Sequence, residues 1–165
     1  MKKLFCIILC LCLSSCWYHP NDDDTTFPPY EPPYEAVILK RSELNSSIVL
    51  QEKQATVEPA KIYVVEDYIF INDKRRGFHI FDNSDPVNPI KKSFLKVPGC
   101  TDIAIRNSTF YINQATDLVV LTFDLHDFSF EIVKRVENVF PKVASPDGYI
   151  EHANEDSVVV NWLEK

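Results

Sequence analysis

The chain contains little glycine and little positive charge, and these two shortages limit the functions it can have. Only three of its 165 residues are glycine, and no glycine-rich phosphate-binding loop occurs. Lysine and arginine total 17 against 24 aspartates and glutamates, which gives a formal net charge of -7. Because nucleic-acid binding needs a basic surface, this balance argues against nucleic acid as a partner. It also argues against broad electrostatic binding to anionic lipids.

Sequence signatures of common catalytic and metal sites are also missing. The chain has no His-Glu-x-x-His, Cys-x-x-Cys or Gly-x-Ser-x-Gly motif. None of the four histidines has metal-ligand spacing to another; they are His19, His79, His126 and His152. His79 lies between Phe78 and Ile80 in an apolar strand, so we expect a packed, hydrogen-bonded histidine rather than a catalytic base. We therefore predict no enzyme activity, no catalytic residue, no metal and no cofactor.

The chain begins with the features of a lipoprotein signal peptide. Two lysines precede the uncharged run 4–13, which fits the apolar region of a secretory signal and is too short to cross a bilayer, since that needs about 20 residues. The run ends in a bacterial lipobox, which consists of Leu13, Ser14, Ser15 and Cys16. The sequence therefore predicts a signal peptide over residues 1–15 and an N-terminal lipid on Cys16. An ordinary secretory signal with an incidental cysteine is the alternative.

The lipobox also determines how the cysteines are used. Of the five cysteines, three would be removed with the signal, which leaves Cys16 for the lipid and Cys100 alone in the mature chain. A single thiol forms no internal disulfide, and we expect Cys100 to be a small buried residue rather than a reactive thiol. Trp17, not aspartate, follows Cys16. By the sorting rule of Gram-negative lipoproteins, this resembles an address for the outer membrane or cell surface.

Residues 16–35 are predicted to form an extended tether. They contain five prolines and three consecutive aspartates, and the unit Pro-Pro-Tyr-Glu occurs twice, at Pro28–Glu31 and Pro32–Glu35. Because proline fixes φ and removes a hydrogen-bond donor, such a segment favours an extended, polyproline-like conformation. A spacer between lipid and domain explains this composition, and a ligand for an aromatic-groove domain is the alternative.

Beyond the tether, the sequence contains a repeat. Phe70-Ile71-Asn72 matches Tyr111-Ile112-Asn113, 41 residues later, and Phe81-Asp82 matches Phe123-Asp124, 42 residues later, after a one-residue insertion. Each unit is predicted to have two strands joined by a two-residue turn, followed by a third and a fourth strand. The predicted strands are 62–65, 68–71, 77–81 and 90–97 in the first unit, and 103–106, 109–112, 118–123 and 128–136 in the second.

This pattern predicts an all-β fold with about two four-stranded, propeller-like blades. The inner strands are apolar on both faces, as in blades that pack on two neighbours. The predicted parts are an N-terminal strand with its connection over residues 36–60 and an incomplete repeat domain over 61–165. Propellers have 4 to 8 blades, so we expect a truncated form of a longer protein, because Val158–Trp162 looks like the first strand of a further unit. Self-association and a two-sheet sandwich are the alternatives.

Two loops attract a functional interpretation. Asp82–Pro89 is rich in oxygen ligands but lacks the glycine and distant glutamate of a calcium-binding EF-hand loop, so Asx turns and proline stops explain it. The basic turn Lys74-Arg75-Arg76 could meet a carboxylate or a phosphate. A solvated turn is the alternative.

The stretch from Tyr68 through Phe78-His-Ile-Phe-Asp82 to Asp85-Pro-Val-Asn-Pro89 resembles the LVIVD-repeat proteins. The second unit keeps Phe123-Asp124 but lacks the Asp-Pro loop, so it resembles a degenerate copy. The resemblance covers residues 60 to 136 and implies a propeller-like, secreted or lipid-anchored bacterial protein. It supplies no catalytic residues.

Taken together, the sequence predicts a lipid-anchored binding or scaffold module on the bacterial surface. Its expected partners are the membrane, through the lipid, and a protein or glycan ligand, with self-association as a further possibility. The alternatives are a subunit of an enzyme that degrades extracellular polymers and a non-functional remnant of a longer lipoprotein.

Overall fold

Antiparallel hairpins make up most of the computed structural model, which describes residues 31–165. The predicted signal peptide, the lipid site Cys16 and the tether up to residue 30 lie outside the described residues. One short helix, α1 (Arg41–Asn45), follows the first strand. The strands are β1 (Tyr34–Lys40), β2 (Val49–Glu52), β3 (Pro59–Val65), β4 (Tyr68–Asp73), β5 (Gly77–Asp82), β6 (Ile90–Lys96), β7 (Cys100–Arg106), β8 (Thr109–Gln114), β9 (Asp117–Asp124), β10 (Ser129–Val136) and β11 (Ser157–Glu164).

The strands form three antiparallel sheets. Repeat sheet 1 has the order β2-β6-β5-β4-β3, repeat sheet 2 has the order β10-β9-β8-β7, and β1 pairs with β11 in a separate two-stranded sheet. The prediction of an all-β fold with two repeated sheets is therefore confirmed. The sequence did not predict α1, nor β2, which adds a fifth strand to repeat sheet 1 beside β6.

The first hairpin of each repeat forms as its sequence predicts. Val65 pairs with Tyr68 around a two-residue turn, and Arg106 pairs with Thr109 in the same way. The first turn residue has a positive φ in both repeats, 50° at Glu66 and 53° at Asn107. Asparagine adopts this conformation more readily than most residues. The two hairpins are thus equivalent at the 41-residue offset read from the sequence.

The repeats also share the same irregularities in pairing. A register shift falls between Pro59 and Ile62 on β3, and another between Cys100 and Ile103 on β7. On the fourth strands the pairing omits Lys92 and Val133, which are again equivalent positions. Because β-bulges bend a strand and increase its twist, the two sheets have matching distortions, as expected for a true structural repeat.

The sequence comparison places a one-residue insertion before the third strand of the second repeat, and this alignment is wrong. The loop before that strand is one residue shorter in the second repeat than in the first. Asp73 pairs with Gly77 across three residues, whereas Gln114 pairs with Asp117 across two. Phe81 therefore corresponds to Leu121 and not to Phe123. Phe81-Asp82 and Phe123-Asp124 share a dipeptide but do not occupy equivalent positions. The register is set by strand pairing and by the alternation of side chains between the two faces of the sheet.

The core lies between the two repeat sheets. Phe70 of repeat sheet 1 contacts Phe110 and Phe123 of repeat sheet 2, with ring centroids 5.2 and 6.4 Å apart. All three rings are buried, and each contributes about 1.5–3 kcal/mol through loss of apolar surface from water. Phe70 corresponds by register to Tyr111, which is 39% exposed, whereas Ile69 corresponds to Phe110. The sheets therefore pack through opposite faces, head to tail, as successive blades do.

The two-stranded sheet joins the two ends of the described chain. Residues 158–162, predicted to begin a further unit, lie in β11 and pair with β1. Val158 and Val160 pack with Leu44 of α1 and with Ala115 of the β8–β9 turn. The Trp162 indole N–H donates to the Val143 carbonyl at 3.0 Å. This sheet thus packs against the loop between β8 and β9.

Candidate functional site

The candidate site is a pocket beside the basic turn that the sequence singled out. It has a volume of about 400 Å³. Its charged lining residues are Arg75, Arg76 and Lys96, and no carboxylate lines it. The remaining lining residues are the amides Gln51, Gln54 and Asn161 and the apolar residues Val37, Phe94, Pro98 and Val160. We call this the basic pocket. Within a chain of net charge -7, it is a concentrated positive patch.

The turn that carries Arg75 is fixed by its main chain. The Arg75 N–H donates to the Cys100 carbonyl and its own carbonyl accepts from the Gly99 N–H, both at 2.9 Å. The Val97 N–H donates to the Arg76 carbonyl at 2.9 Å. Arg75 has a left-handed φ of 58°. Because these bonds link the turn to the connection between the repeats, the arginine is held in a defined position.

The Arg75 side chain is half-buried and poorly paired. Its Nε–H is buried without a hydrogen-bond partner, and one Nη lies 3.5 Å from the Asn161 side-chain oxygen. Among the described residues it forms no ion pair, although the nearby charge of Glu58 favours its cationic form. Burial outweighs that effect and lowers the pKa of Arg75. An arginine stays charged in proteins, so this guanidinium is a cation partly removed from water.

The three basic residues of the turn differ in their surroundings. Lys74 is exposed and pairs with Glu58 at 2.7 Å, which fits the solvated-turn alternative for this residue. Arg76 contacts Asp73 at 3.0 Å with its side chain 39% exposed. Lys96 is exposed and forms no ion pair in the part of the chain that the structure describes. The solvated-turn alternative is therefore wrong for Arg75.

A buried Asp–His pair lies beneath the pocket. His79 Nε2 is 3.1 Å from Asp73 Oδ2, and both side chains are fully buried. Burial lowers the pKa of His79, and the hydrogen bond to Asp73 only partly opposes this effect. The neutral ring therefore donates through Nε2–H, and it packs on Phe94 with centroids 4.7 Å apart. This confirms the interpretation of His79 as a packed, hydrogen-bonded residue.

Both carboxylate oxygens of Asp73 accept hydrogen bonds. Burial acts to raise the pKa of this carboxyl, but hydrogen bonds from the Glu58 and Val57 amides, together with His79 and Arg76, outweigh burial and hold the pKa below its usual range. The two amides donate at 2.7 and 3.1 Å. Asp73 therefore anchors the segment before β3 and positions Arg76, and its oxygens are already occupied.

A larger cleft, of about 520 Å³, lies beside a second buried carboxylate, Asp117. Asp117 accepts from Arg41 at 2.7 and 2.8 Å and from Arg135 at 2.9 Å. Burial acts to raise the pKa of this carboxyl, but the Arg41 guanidinium and the other donors lower it on balance. The cleft wall carries both signs of charge, including Lys142 and Glu155. We interpret this network as a structural link between α1 and repeat sheet 2.

The other residues singled out by the sequence have structural positions. Cys100 is fully buried, and burial raises the pKa of its thiol to about 12. Its expected role as a buried residue is confirmed. In the Asp82–Pro89 loop, Asp82 accepts from the Ser84 N–H at 3.0 Å and Asp85 accepts from the Val87 N–H at 3.1 Å. These are the predicted Asx turns.

Within residues 31–165, no group of three or more His, Cys, Asp or Glu side chains is placed to hold a metal ion. No helix in that range is long and apolar enough to cross a membrane. The predicted site residues Leu13, Ser14, Ser15 and Cys16 lie outside the described part of the chain.

Sequence reasoning found the basic turn but missed Lys96 and the amide side chains beside it. Lys96 ends β6 opposite Gly77, and Asn161 arrives from β11, which no local pattern connects to the turn. The Arg41–Asp117–Arg135 network was missed for the same reason. Comparison of the chain with models of protein families, with curated proteins and with solved structures found no match.

Proposed function

We propose that this chain is a lipid-anchored module of the bacterial cell surface that binds an acidic saccharide in the basic pocket. The observation that carries the ligand class is the pocket lining, which combines three cations with three amide side chains and contains no carboxylate. Cations bind carboxylate or sulfate groups through charge-assisted hydrogen bonds. Amide groups supply both donors and acceptors for sugar hydroxyls.

The state of Arg75 favours an anionic ligand in particular. Its buried Nε–H has no hydrogen-bond partner, and a buried polar group without a partner costs about 1–3 kcal/mol. Because Nε itself has no accessible surface, a ligand carboxylate would bind the other N–H groups of the guanidinium at the pocket wall and pair its charge. The fixed main chain of the turn means that little conformational freedom is lost on binding.

The surface location is supported by the amino-terminal sequence. The lipobox Leu13-Ser14-Ser15-Cys16 and the proline-rich residues 16–35 together suit a domain held away from a membrane by a spacer. The resemblance to lipid-anchored LVIVD-repeat proteins supports the same placement. Mass spectrometry of the mature chain tests it directly, because the proposal requires an amino-terminal Cys16 with an added diacylglyceryl mass. An unmodified Cys16, or cleavage elsewhere, contradicts the proposed anchor.

The ligand class is tested by calorimetric titration with two matched oligosaccharides, tetragalacturonate and galactotetraose. Carbon 6 of each sugar is a carboxylate in the first tetramer and a hydroxymethyl group in the second. We expect binding of the acidic tetramer only, because the neutral one has no negative charge to pair with the Arg75 guanidinium. Since a hydrogen bond to a charged group contributes about 1.5–3 kcal/mol, Arg75→Gln should weaken binding about tenfold or more.

Two lysine variants serve as a matched pair in the same titration. Lys96→Gln removes a pocket cation that has no ion-pair partner among residues 31–165 and should weaken binding. Lys74→Gln removes a neighbouring cation that already pairs with Glu58 and should leave binding unchanged. Equal affinity for both tetramers, or an acidic glutamate peptide as the only ligand, would overturn the saccharide assignment.

A further inference from the structure

Each repeat sheet has one face in the core and one outer face. By equivalent positions in the repeat, the outer face of each sheet corresponds to the core face of the other sheet. Ile103 of repeat sheet 2 packs against repeat sheet 1 and is 4% exposed, whereas its counterpart Ile62 is 64% exposed. Phe70 of repeat sheet 1 is fully buried, whereas its counterpart Tyr111 is 39% exposed. Each exposed residue occupies a position that is an interface residue in the other repeat.

We propose that these two faces bind each other between copies of this chain. The internal interface is the template for the contact. In the contact between copies, repeat sheet 2 of one copy packs on repeat sheet 1 of the next copy. Each of these sheets then occupies the position that the other sheet has in the internal interface. This contact is heterologous, so it repeats from copy to copy and closes into a ring when the rotation between copies allows it.

The aromatic contact of the core has a usable counterpart at the outer faces. Internally, Phe70 packs on Phe110 with ring centroids 5.2 Å apart. By register, Phe70 corresponds to Tyr111 and Phe110 corresponds to Ile69. The contact between copies therefore brings Tyr111 onto Ile69. Both are large apolar side chains, and Ile69 is only half-buried.

The charges of the two outer faces are also complementary when one repeat sheet takes the position of the other. Lys61 of β3 pairs with Asp102 of β7 across the internal interface. These two residues are themselves equivalent positions in the two repeats. In the contact between copies, Asp102 of one chain therefore occupies the position that Lys61 has in the internal interface. It faces Lys61 of the next chain. Opposite charges therefore meet at this position in both interfaces.

The two-stranded sheet packs by the β8–β9 turn, and on repeat sheet 1 its residues Val37, Val160 and Asn161 line the basic pocket with Phe94. Residues 54–58 cross part of the repeat sheet 1 face, since Val57 and Glu58 donate to Asp73 at one end and Gln54 and Thr56 accept from Lys91, which pairs with Phe81. Ile62 and Val64 of β3 stay exposed, and Ile69 of β4 is half-buried. Because rings of 4 to 8 blades are stable in propellers, two to four copies would close such a ring.

Disulfide cross-linking of the full chain tests the orientation of the contact. Ile69→Cys and Tyr111→Cys are prepared as separate variants, mixed, and oxidised. We expect a cross-linked dimer from the mixture at least tenfold above the level from either variant alone, because a heterologous contact places the two different positions together. The unsubstituted chain gives the background from its own cysteines, and Ile69→Cys mixed with Val87→Cys is the spatial control.

A mixture that cross-links no better than the control overturns the proposal. Efficient cross-linking of Tyr111→Cys by itself also overturns it, because that result shows the same face meeting itself. Sedimentation velocity supplies an independent measure. We expect Ile62→Asp to weaken assembly at least tenfold, while Val87→Asp, at a site 88% exposed, leaves it unchanged. A monomeric unsubstituted chain contradicts the proposal and assigns the faces to other repeats or partners.

Discussion

Replacing Asp117 by asparagine should remove about 3–5 kcal/mol from the free energy of unfolding. This is the usual cost of removing one partner from a buried ion pair, since the remaining charges stay in a poorly solvated site. The Asp117 side chain is 0% exposed, and its partners Arg41 and Arg135 are 18% and 12% exposed. Solvent therefore screens these contacts weakly, and asparagine leaves two guanidinium groups without a carboxylate.

The loss is large compared with the total stability of a domain, which is about 5–15 kcal/mol. The assay is urea unfolding at pH 7, followed by the fluorescence of Trp162, which is 8% exposed. A change of about 4 kcal/mol should lower the urea midpoint by about 2 M for an m-value near 2 kcal/mol per molar.

The matched control is Asp102→Asn. Asp102 also pairs with a cation, but its side chain is 51% exposed, and exposed pairs contribute about 0–1 kcal/mol. A loss below about 1 kcal/mol for Asp117→Asn, or equal losses for the two variants, would refute the view that the buried network holds α1 on repeat sheet 2.

Two further perturbations follow from buried groups. Burial lowers the pKa of His79 despite its bond to Asp73, so the unfolded chain binds this proton first and the free energy of unfolding falls as pH drops below about 6.5; His79→Gln should flatten that decline in urea titrations, and an unchanged slope would contradict the assignment. Gly77 has a φ of 155°, and an added Cβ would meet the Leu95 carbonyl oxygen at 2.2 Å. Gly77→Ala should therefore cost more than about 2 kcal/mol by thermal unfolding, whereas a cost below 1 kcal/mol would show that β5 and β6 shift freely.

Much of the repeat could be predicted from local sequence. The strands around Glu66-Asp67 and Asn107-Ser108 were located because β-branched and aromatic runs flank a two-residue turn. Their observed ends extend a few residues beyond the predicted ones, since pairing with a neighbour prolongs a strand. The offset of 41 residues for these hairpins holds in the structure.

The third strands show where residue identity fails as a guide. Phe81-Asp82 and Phe123-Asp124 look equivalent, yet the loop before β9 is one residue shorter than the loop before β5. A one-residue slip reverses every side chain. The true counterpart of Phe81 is Leu121, and only the cross-strand partners reveal this.

The candidate site was only partly predictable, because its residues come from distant parts of the chain. Arg75 could be singled out as part of a basic turn, but its buried Nε–H depends on packing against β11 and the connection between the repeats. The network at Asp117 joins Arg41 and Arg135 across long separations in sequence. Short elements such as α1, with five residues, carry too little periodicity to be detected alone.

The most direct test of the proposed anion-binding role is nuclear magnetic resonance of the Arg75 side chain during titration with sulfate. Sulfate presents the same acceptor chemistry as a sugar carboxylate and depends on no particular saccharide. We predict that the Arg75 Nε–H resonance shifts and saturates, that Lys96→Gln weakens the effect, and that Lys74→Gln does not. An Arg75 Nε–H resonance that stays unmoved at saturating sulfate, or one that moves equally in all three proteins, would contradict the account.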